Sequence, residues 1–412
     1  MPNFGTHQPY ALHPSMTQTA PSRRLQITLE PAVLQWARER VNLTPEELAE
    51  GLKIKPYRVT EWEQSGKISI AQADRLAART YTPLGYLYLQ APPDDSLPIR
   101  DFRTRGGSPP TRPSPNLLDT IYQMQRRQAW MRDDLIENEE DPLPFVGAYS
   151  QRDDHTKVAA AMRDALGLNP GWAEEQRSWR EALSFLRSRV DQAGILVVFN
   201  GVVGNSNSRK LDPKEFLGFA LVDEYAPLVF VNSAYFITAQ TFTLAHELAH
   251  LFVGETGLSA FDKLMPANNA TEQFCNRTAA EFLVPAEELL AYWPTVQNHK
   301  NPYQKIALRF KVSAIVASRR LLDLELIERD TFFDFYERNK GQGKGQATTR
   351  SSGNFWNTQR WRIGPRFASA IVRAAAEGRL LYREAYSLTG LKRNTFDMLR
   401  QLGVRFELAS SP

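Results

Sequence analysis

The stretch TFTLAHELAHLF, residues 241 to 252, constrains this chain more than any other. Leu244, Leu248 and Leu251 form one apolar stripe at helical spacing, so the helix can bury one side against a core. His246 and His250 stand four positions apart, which places both rings on one face, able to converge on a single point. Zinc takes neutral imidazole readily, and a catalytic zinc uses three protein ligands with a fourth position open. Glu247 lies one residue along from the first histidine, where its carboxylate can act as a general base on an activated water. The same spacing arises by chance in roughly one chain in a hundred of this length. A third ligand therefore decides the reading.

The run TEQFCNRTAAEFLVP, residues 271 to 285, reads as a further helix ended by Pro285 and offers Glu272 and Glu281. Nine residues separate them, so they face opposite sides and cannot both reach one ion. Glu272 shares its face with Cys275 and Asn276, and Asn276 is a candidate to support a ligand from behind. Glu281, flanked by Phe282 and Leu283, is expected near the surface or capping the packing. The third ligand is accordingly assigned to Glu272.

Around this centre the chain divides by composition. At 412 residues it exceeds what one hydrophobic core usually serves, so two or three domains are expected. Residues 1–20 read as a disordered leader without the charged start and apolar run of a secretory signal. Short helices with tight joints follow over 21–92, then a connector and helix over 93–140 whose helical spacing shows at Leu117, Ile121, Met124, Met131 and Leu135. Over 141–337 a helical pattern, WREALSFLRSRV, precedes three β-type runs, ILVVF, FLGFALV and PLVFVN, the last two divided by DEYA. Residues 338–354 have linker composition, and 355–412 form a basic helical domain with ten basic and four acidic residues. The fold class is α+β and multidomain. One cysteine fits a reducing, cytoplasmic setting, and no apolar run is long enough to cross a membrane.

The strand pair GFALV…PLVFVN, then FTLAHELAH, then an E-x-x-C-N-x-x-A-A-E-F-L-V-P helix, together resemble the ImmA/IrrE family of metallo-endopeptidases over residues 140 to 337. The resemblance implies a zincin-like domain holding Zn2+ on His246, His250 and Glu272, with Glu247 as the catalytic glutamate. Two departures stand out: Cys275 occupies a position where alanine is common, and Arg277-Thr278 replaces a step that usually contains an aromatic residue. A thiol near a metal would bring redox sensitivity.

Residues 44 to 64, TPEELAEGLKIKPYRVTEWEQ, carry a capping box of Thr44 with Glu47 and a proline at the first helical position. Leu48, Ala49 and Leu52 form an inner face, LKIK a short joint, and Val59 and Trp62 the inner face of a second helix opened by Pro56. This is the helix-turn-helix plan, and it resembles an Xre-type (Cro-like) DNA-binding domain. The resemblance implies that Lys55, Pro56, Tyr57, Arg58, Thr60 and Glu61 face the major groove of duplex DNA. Ten basic against eight acidic residues over 21–90 allow few phosphate contacts, so a protein-binding module is the other reading of this domain. The segment LPIRDFRTRG, 97–106, resembles a connector between such domains and is expected to pack on the peptidase. In the tail, Lys392, Arg393 and Arg400 allow a second nucleic-acid contact or simply a solvated helical cap.

Two functions follow. The first is a cytoplasmic zinc endopeptidase fused to a DNA-binding domain, which by its resemblance cleaves a transcriptional repressor and switches on stress or mobile-element genes. The second is an Xre-type regulator or antitoxin-like protein whose metal is structural or sensory. Glu247 favours the first, because a structural site needs no base beside its ion. PLVFVN is read equally as a substrate-pairing sheet edge and as a core strand. Tyr225, Tyr235 and His299 are candidates to stabilise a developing oxyanion. A homodimer is the oligomer the domain plan allows for.

Overall fold

A computed structural model describes residues 25–101, 112–259, 269–339 and 355–408, the last without the side chains of 402–408. The expected leader, the second half of the 97–106 connector and nearly all of the 338–354 linker lie outside these residues. The chain divides into two compact units at Asp94 and Asp95.

In the first unit, β1 (Gln26–Thr28) precedes α1 (Pro31–Glu39), α2 (Pro45–Leu52) and α3 (Pro56–Ser65), and β2 (Lys67–Ser69) precedes α4 (Ile70–Arg79). The two strands pair antiparallel. Thr44 and Glu47 close the capping box of α2, and Lys53 ends that helix in the left-handed region at φ 54°. Three residues later Pro56 starts α3, because proline's fixed φ suits a first helical position. Leu48, Leu52, Val59 and Trp62 meet Val33, Leu34 and Leu76 in one core. Arg38 clamps Glu63 at 2.7 Å, tying α1 to the last turn of α3.

The second unit opens with β3 (Arg100–Asp101), α5 (Pro115–Glu137), α6 (His155–Ala165) and α7 (Trp179–Gln192). Then come β4 (Leu196–Asn200), β5 (Gly218–Leu221), β6 (Leu228–Asn232), α8 (Ile237–Val253) and β7 (Gly257–Ser259). Helices α9 (Ala270–Leu283), α10 (Ala286–Val296), α11 (Pro302–Phe310), α12 (Ala314–Asp323) and α13 (Arg329–Asn339) follow. The last four are α14 (Phe355–Ile363), α15 (Pro365–Ala376), α16 (Tyr382–Thr389) and α17 (Arg393–Leu408). Among the described residues the sheet runs β3-β7-β5-β6-β4, with β4–β6 and β3–β7 parallel and the other pairs antiparallel.

Both faces of this sheet are covered, so its inner strands are buried throughout and mostly apolar rather than alternating with polar residues. Val197, Phe199, Ala220, Val229 and Val231 point to one core, which α8, α9 and the helices through α12 complete. Leu196, Val198, Phe219, Leu221, Leu228 and Phe230 point to the other, where Phe219 and Phe230 stack with ring centres 4.9 Å apart. That second face is covered by α5 and, from far along the chain, by α15, α16 and α17. The C-terminal helices, expected as a domain of their own, thus share a core with the sheet. A two-faced apolar sheet requires such a second layer.

One open reading is settled here and one expectation is met. PLVFVN is β6, fully buried between β5 and β4, so the core-strand reading holds and the substrate-pairing edge does not. The outer strands are β4, along which α14 packs, and β3. Arg100 and Asp101 of the connector pair with Gly257 and Leu258, and Arg100 meets Glu255 at 2.6 Å. The described part of the connector therefore packs on this unit, as expected.

One buried cation fastens the second layer. Arg127 of α5 donates to the carbonyls of Leu388 and Arg362 at 2.8 Å, with its guanidinium over the Phe367 ring. Burial, aided by neighbouring Arg126, draws its pKa down to about 10. Arg127→Met keeps the apolar stem but leaves those carbonyls unsatisfied, at an expected cost of about 2–4 kcal/mol. Urea unfolding measures the loss, and proteolysis should reach the C-terminal helices first. A change within about 0.5 kcal/mol, typical of a surface substitution, would contradict the anchoring role.

Candidate metal centre

Helix α8 is buried around its whole circumference from Gln240 to Phe252. Its histidines therefore open not onto solvent but onto α9, which packs alongside. His246 and His250 are completely buried and Glu272 is 4% exposed. His250 Nε2 lies 3.0 Å from His246 Nε2 and 3.0 Å from Glu272 Oε1, and His246 Nε2 lies 3.3 Å from Glu272 Oε2. The structure thus brings His246, His250 and Glu272 together; among the described residues they form the one group of this kind able to hold a metal.

Hydrogen bonds alone do not account for three atoms this close. Each ring nitrogen carries at most one proton, so both can donate to Glu272, but the nitrogen–nitrogen contact then sets two donors against each other. A cation at the centre resolves this. Ligands about 2.0–2.1 Å from a tetrahedral zinc sit roughly 3.3 Å from one another, close to the 3.0–3.3 Å separations here. Two imidazoles and a carboxylate suit zinc, and three ligands rather than four leave a position open. Burial disfavours the charged form of Glu272, yet the two histidines outweigh it and hold its pKa at about 2. Burial also lowers the pKa of His250, keeping it the neutral ligand a metal needs.

Residues 190–322 match the family model of the IrrE N-terminal-like domain, peptidase family M78. The match supports a metallopeptidase-like function for this segment and implies a metal cofactor. It spans β4 through most of α12 and so contains the HELAH helix and Glu272. A second family model, a domain of unknown function (DUF8813), matches residues 363–399. No match is found among curated proteins.

In the M78 segment, Glu247 points away from solvent, completely buried, with neither carboxylate oxygen in a well-formed hydrogen bond. Burial, and then the negative charge of Glu272, push its pKa well above the ordinary carboxylate range. The Ser259 hydroxyl lies where it eases that push without removing it. A carboxylate kept dry beside a cluster of ligands is a group positioned to exchange a proton.

Two residues escaped the sequence reading. Ser259 on β7 places its hydroxyl 3.3 Å from His246 Nε2, but a three-residue strand gives no periodic signal. Gly218 on β5 leaves room for Glu247: a Cβ there would come within 2.9 Å of the carboxylate and 2.6 Å of the Thr243 methyl. A glycine inside the strand run FLGFALV was the available clue.

Other expectations shift. Glu281 is buried rather than near the surface: it pairs with Arg320 and accepts the Ala286 backbone N–H at 3.1 Å, capping α10. Cys275 is fully buried, and burial followed by the Glu272, Glu247 and Glu255 charges raises its thiol pKa, which favours the protonated thiol. Asn276 leaves its side-chain oxygen buried without a partner and supports no ligand in this state. None of the oxyanion candidates joins the cluster. Tyr225 packs on the opposite face of the sheet, Tyr235 is 41% exposed with its ring tilted against Phe236, and exposed His299 accepts the Asn301 N–H.

Glu272→Ala should lower bound metal from about one equivalent to near zero by elemental analysis, whereas Glu281→Ala should keep it and lose stability. The reverse pattern would overturn the ligand assignment. Gly218→Ala should displace Glu247 and reduce activity more than metal content.

Proposed function

We propose that this chain is a zinc-dependent endopeptidase in which His246, His250 and Glu272 hold the ion and Glu247 is the catalytic base. The observation that carries this reading is the unpartnered, buried Glu247 carboxylate beside a three-ligand cluster. A structural or sensory site gains nothing from such a group, whose burial costs stability. Bound zinc would supply Lewis acidity and a positive charge that favours ionised Glu247. Glu247 then takes a proton from the attacking water at a carboxylate oxygen and returns it to the leaving amine. His250, its pKa lowered by burial, stays neutral, and the packed core around α8 excludes bulk water from that transfer.

The first unit is proposed to bind duplex DNA, and the substrate to be a transcriptional repressor held in the cytoplasm. Support for the DNA reading is geometric. Lys55, Pro56, Tyr57, Arg58, Thr60 and Glu61 all lie on the exposed side of α3 while Val59 and Trp62 lie inward. Arg58 is engaged by Glu61 at 2.8 Å, an exposed pair that DNA can readily displace.

Glu247→Gln preserves size and removes the basic carboxylate. Metal content and melting temperature should stay close to wild type, while cleavage falls about 10²–10⁴-fold. N-terminal peptide profiling of cells expressing each form reads this out as new protein termini present only with the wild type. Identical profiles, with metal bound in both, would sink the peptidase reading and favour the regulator. For the first unit, Arg58→Ala should weaken duplex binding by about 1–3 kcal/mol at one base position in a fluorescence titration. Equal binding by both forms would make this unit a protein-interaction module.

A further inference from the structure

The C-terminal segment that matches a domain of unknown function repeats the construction of the first unit's α2–α3 pair. Helix α16 has eight residues, as α2 has, and ends on a left-handed residue, Gly390 at φ 71°, as α2 ends on Lys53 at φ 54°. A joint of three residues, Gly390 to Lys392, then leads into α17, as Lys53 to Lys55 leads into α3. Four buried positions coincide at one constant offset: Leu48, Leu52, Val59 and Trp62 correspond to Ala385, Thr389, Phe396 and Leu399. At the same offset half-buried Ile54 meets buried Leu391, and buried Ala49 meets half-buried Tyr386. A third helix, α15, packs against both α16 and α17. Tyr382 and Tyr386 place their rings against Phe396 at 6.2 and 5.4 Å, an aromatic layer that α2 and α3 lack.

The exposed faces differ in how their charges are paired. On the outer side of α3 and its joint, Lys53, Lys55 and Arg58 are exposed, Arg58 is held by Glu61, and Glu63 is taken by Arg38. On α17 up to Gln401 and on its joint, exposed Lys392, Arg393 and Arg400 stand with Asp397 as the one acidic residue among the described side chains. No ion pair among the described residues engages Lys392, Arg393, Arg400 or nearby Arg383. Arg393 and Asn394, the first residues of α17, are both exposed, and such side chains on a recognition helix read guanine and adenine edges. The joint is also fixed in place: Asn205 donates to the Gly390 carbonyl at 2.9 Å and accepts from Arg362 at 3.0 Å. An open groove of about 650 Å³ between α5 and the 203–209 loop is lined by Tyr122, Gln123 and Arg126, with Asp119 paired to Arg209.

We propose that residues 365–401 form a second helix-turn-helix module that binds duplex DNA through α17, anchored directly on the peptidase-like unit. The argument is independent of the catalytic reading, since no residue of the metal cluster enters it.

The test uses the full-length protein and a 40-base-pair mixed-sequence duplex, titrated by fluorescence anisotropy at several salt concentrations. Lys392→Glu with Arg393→Glu should weaken binding at least about tenfold near physiological salt and flatten the logarithmic salt slope by roughly two. Lys392→Gln with Arg393→Gln should lie between, and both double variants should keep the wild-type melting temperature because these side chains are exposed. Tyr57→Ala with Arg58→Ala should leave that salt slope nearly unchanged. Unchanged affinity and slope in both double variants overturns the proposal. So does complete loss of binding in the Tyr57→Ala/Arg58→Ala form, or loss confined to an RNA hairpin with no duplex bound by the wild type.

Discussion

Burying polar groups at the middle of α8 is the constraint on which the second unit depends. A helix enclosed from Gln240 to Phe252 should be apolar throughout, yet it carries two histidines and a glutamate with no exposure at all. Left alone, each would cost several kcal/mol in desolvation. Glu272 arrives from α9 to meet both imidazoles, and a divalent cation at their centre would turn that cost into binding energy that stabilises the fold. The packing around them follows from the same demand. Leu244, Leu248 and Leu251 seat α8 on the sheet, and Gly218 yields the volume that Glu247 occupies.

The sheet carries this arrangement because both of its faces are covered. The peptidase-like segment supplies one layer, and α5 with the C-terminal helices supplies the other. Arg127 couples α5 to the ends of α14 and α16, so the C-terminal module is part of the scaffold behind the metal centre. Any force applied to that module, by a nucleic acid or a protein, acts on the same sheet that holds β5 and β7 against α8.

What could be read from the sequence was local. The α8 stripe, the β-type runs that become β4, β5 and β6, the capping box at Thr44 and the choice of Glu272 over Glu281 all rest on spacing within one element. Sheet order is not local, and PLVFVN reads equally as an edge and as a core strand because nothing within it reports that β4 pairs on its far side. Ser259 lies on a strand too short for periodicity, and its role depends on β7 pairing with β5. Tyr225 is a candidate by residue type alone, and it sits in the bend between β5 and β6, where its ring packs on the other core. The doubled helix–joint–helix construction was legible in YREAYSLTGLKRNTFDMLRQ, but the match of buried positions emerges only when exposure is known.

Anomalous diffraction at the zinc edge, on crystals of the full-length protein purified without added chelator, tests the central claim most directly. The account predicts one strong peak within bonding distance of His246 Nε2, His250 Nε2 and a Glu272 carboxylate oxygen, with Glu247 outside the coordination sphere. A peak ligated by Glu247, a fourth protein ligand closing the site, or no peak at the cluster in protein that still cleaves its substrate would contradict it.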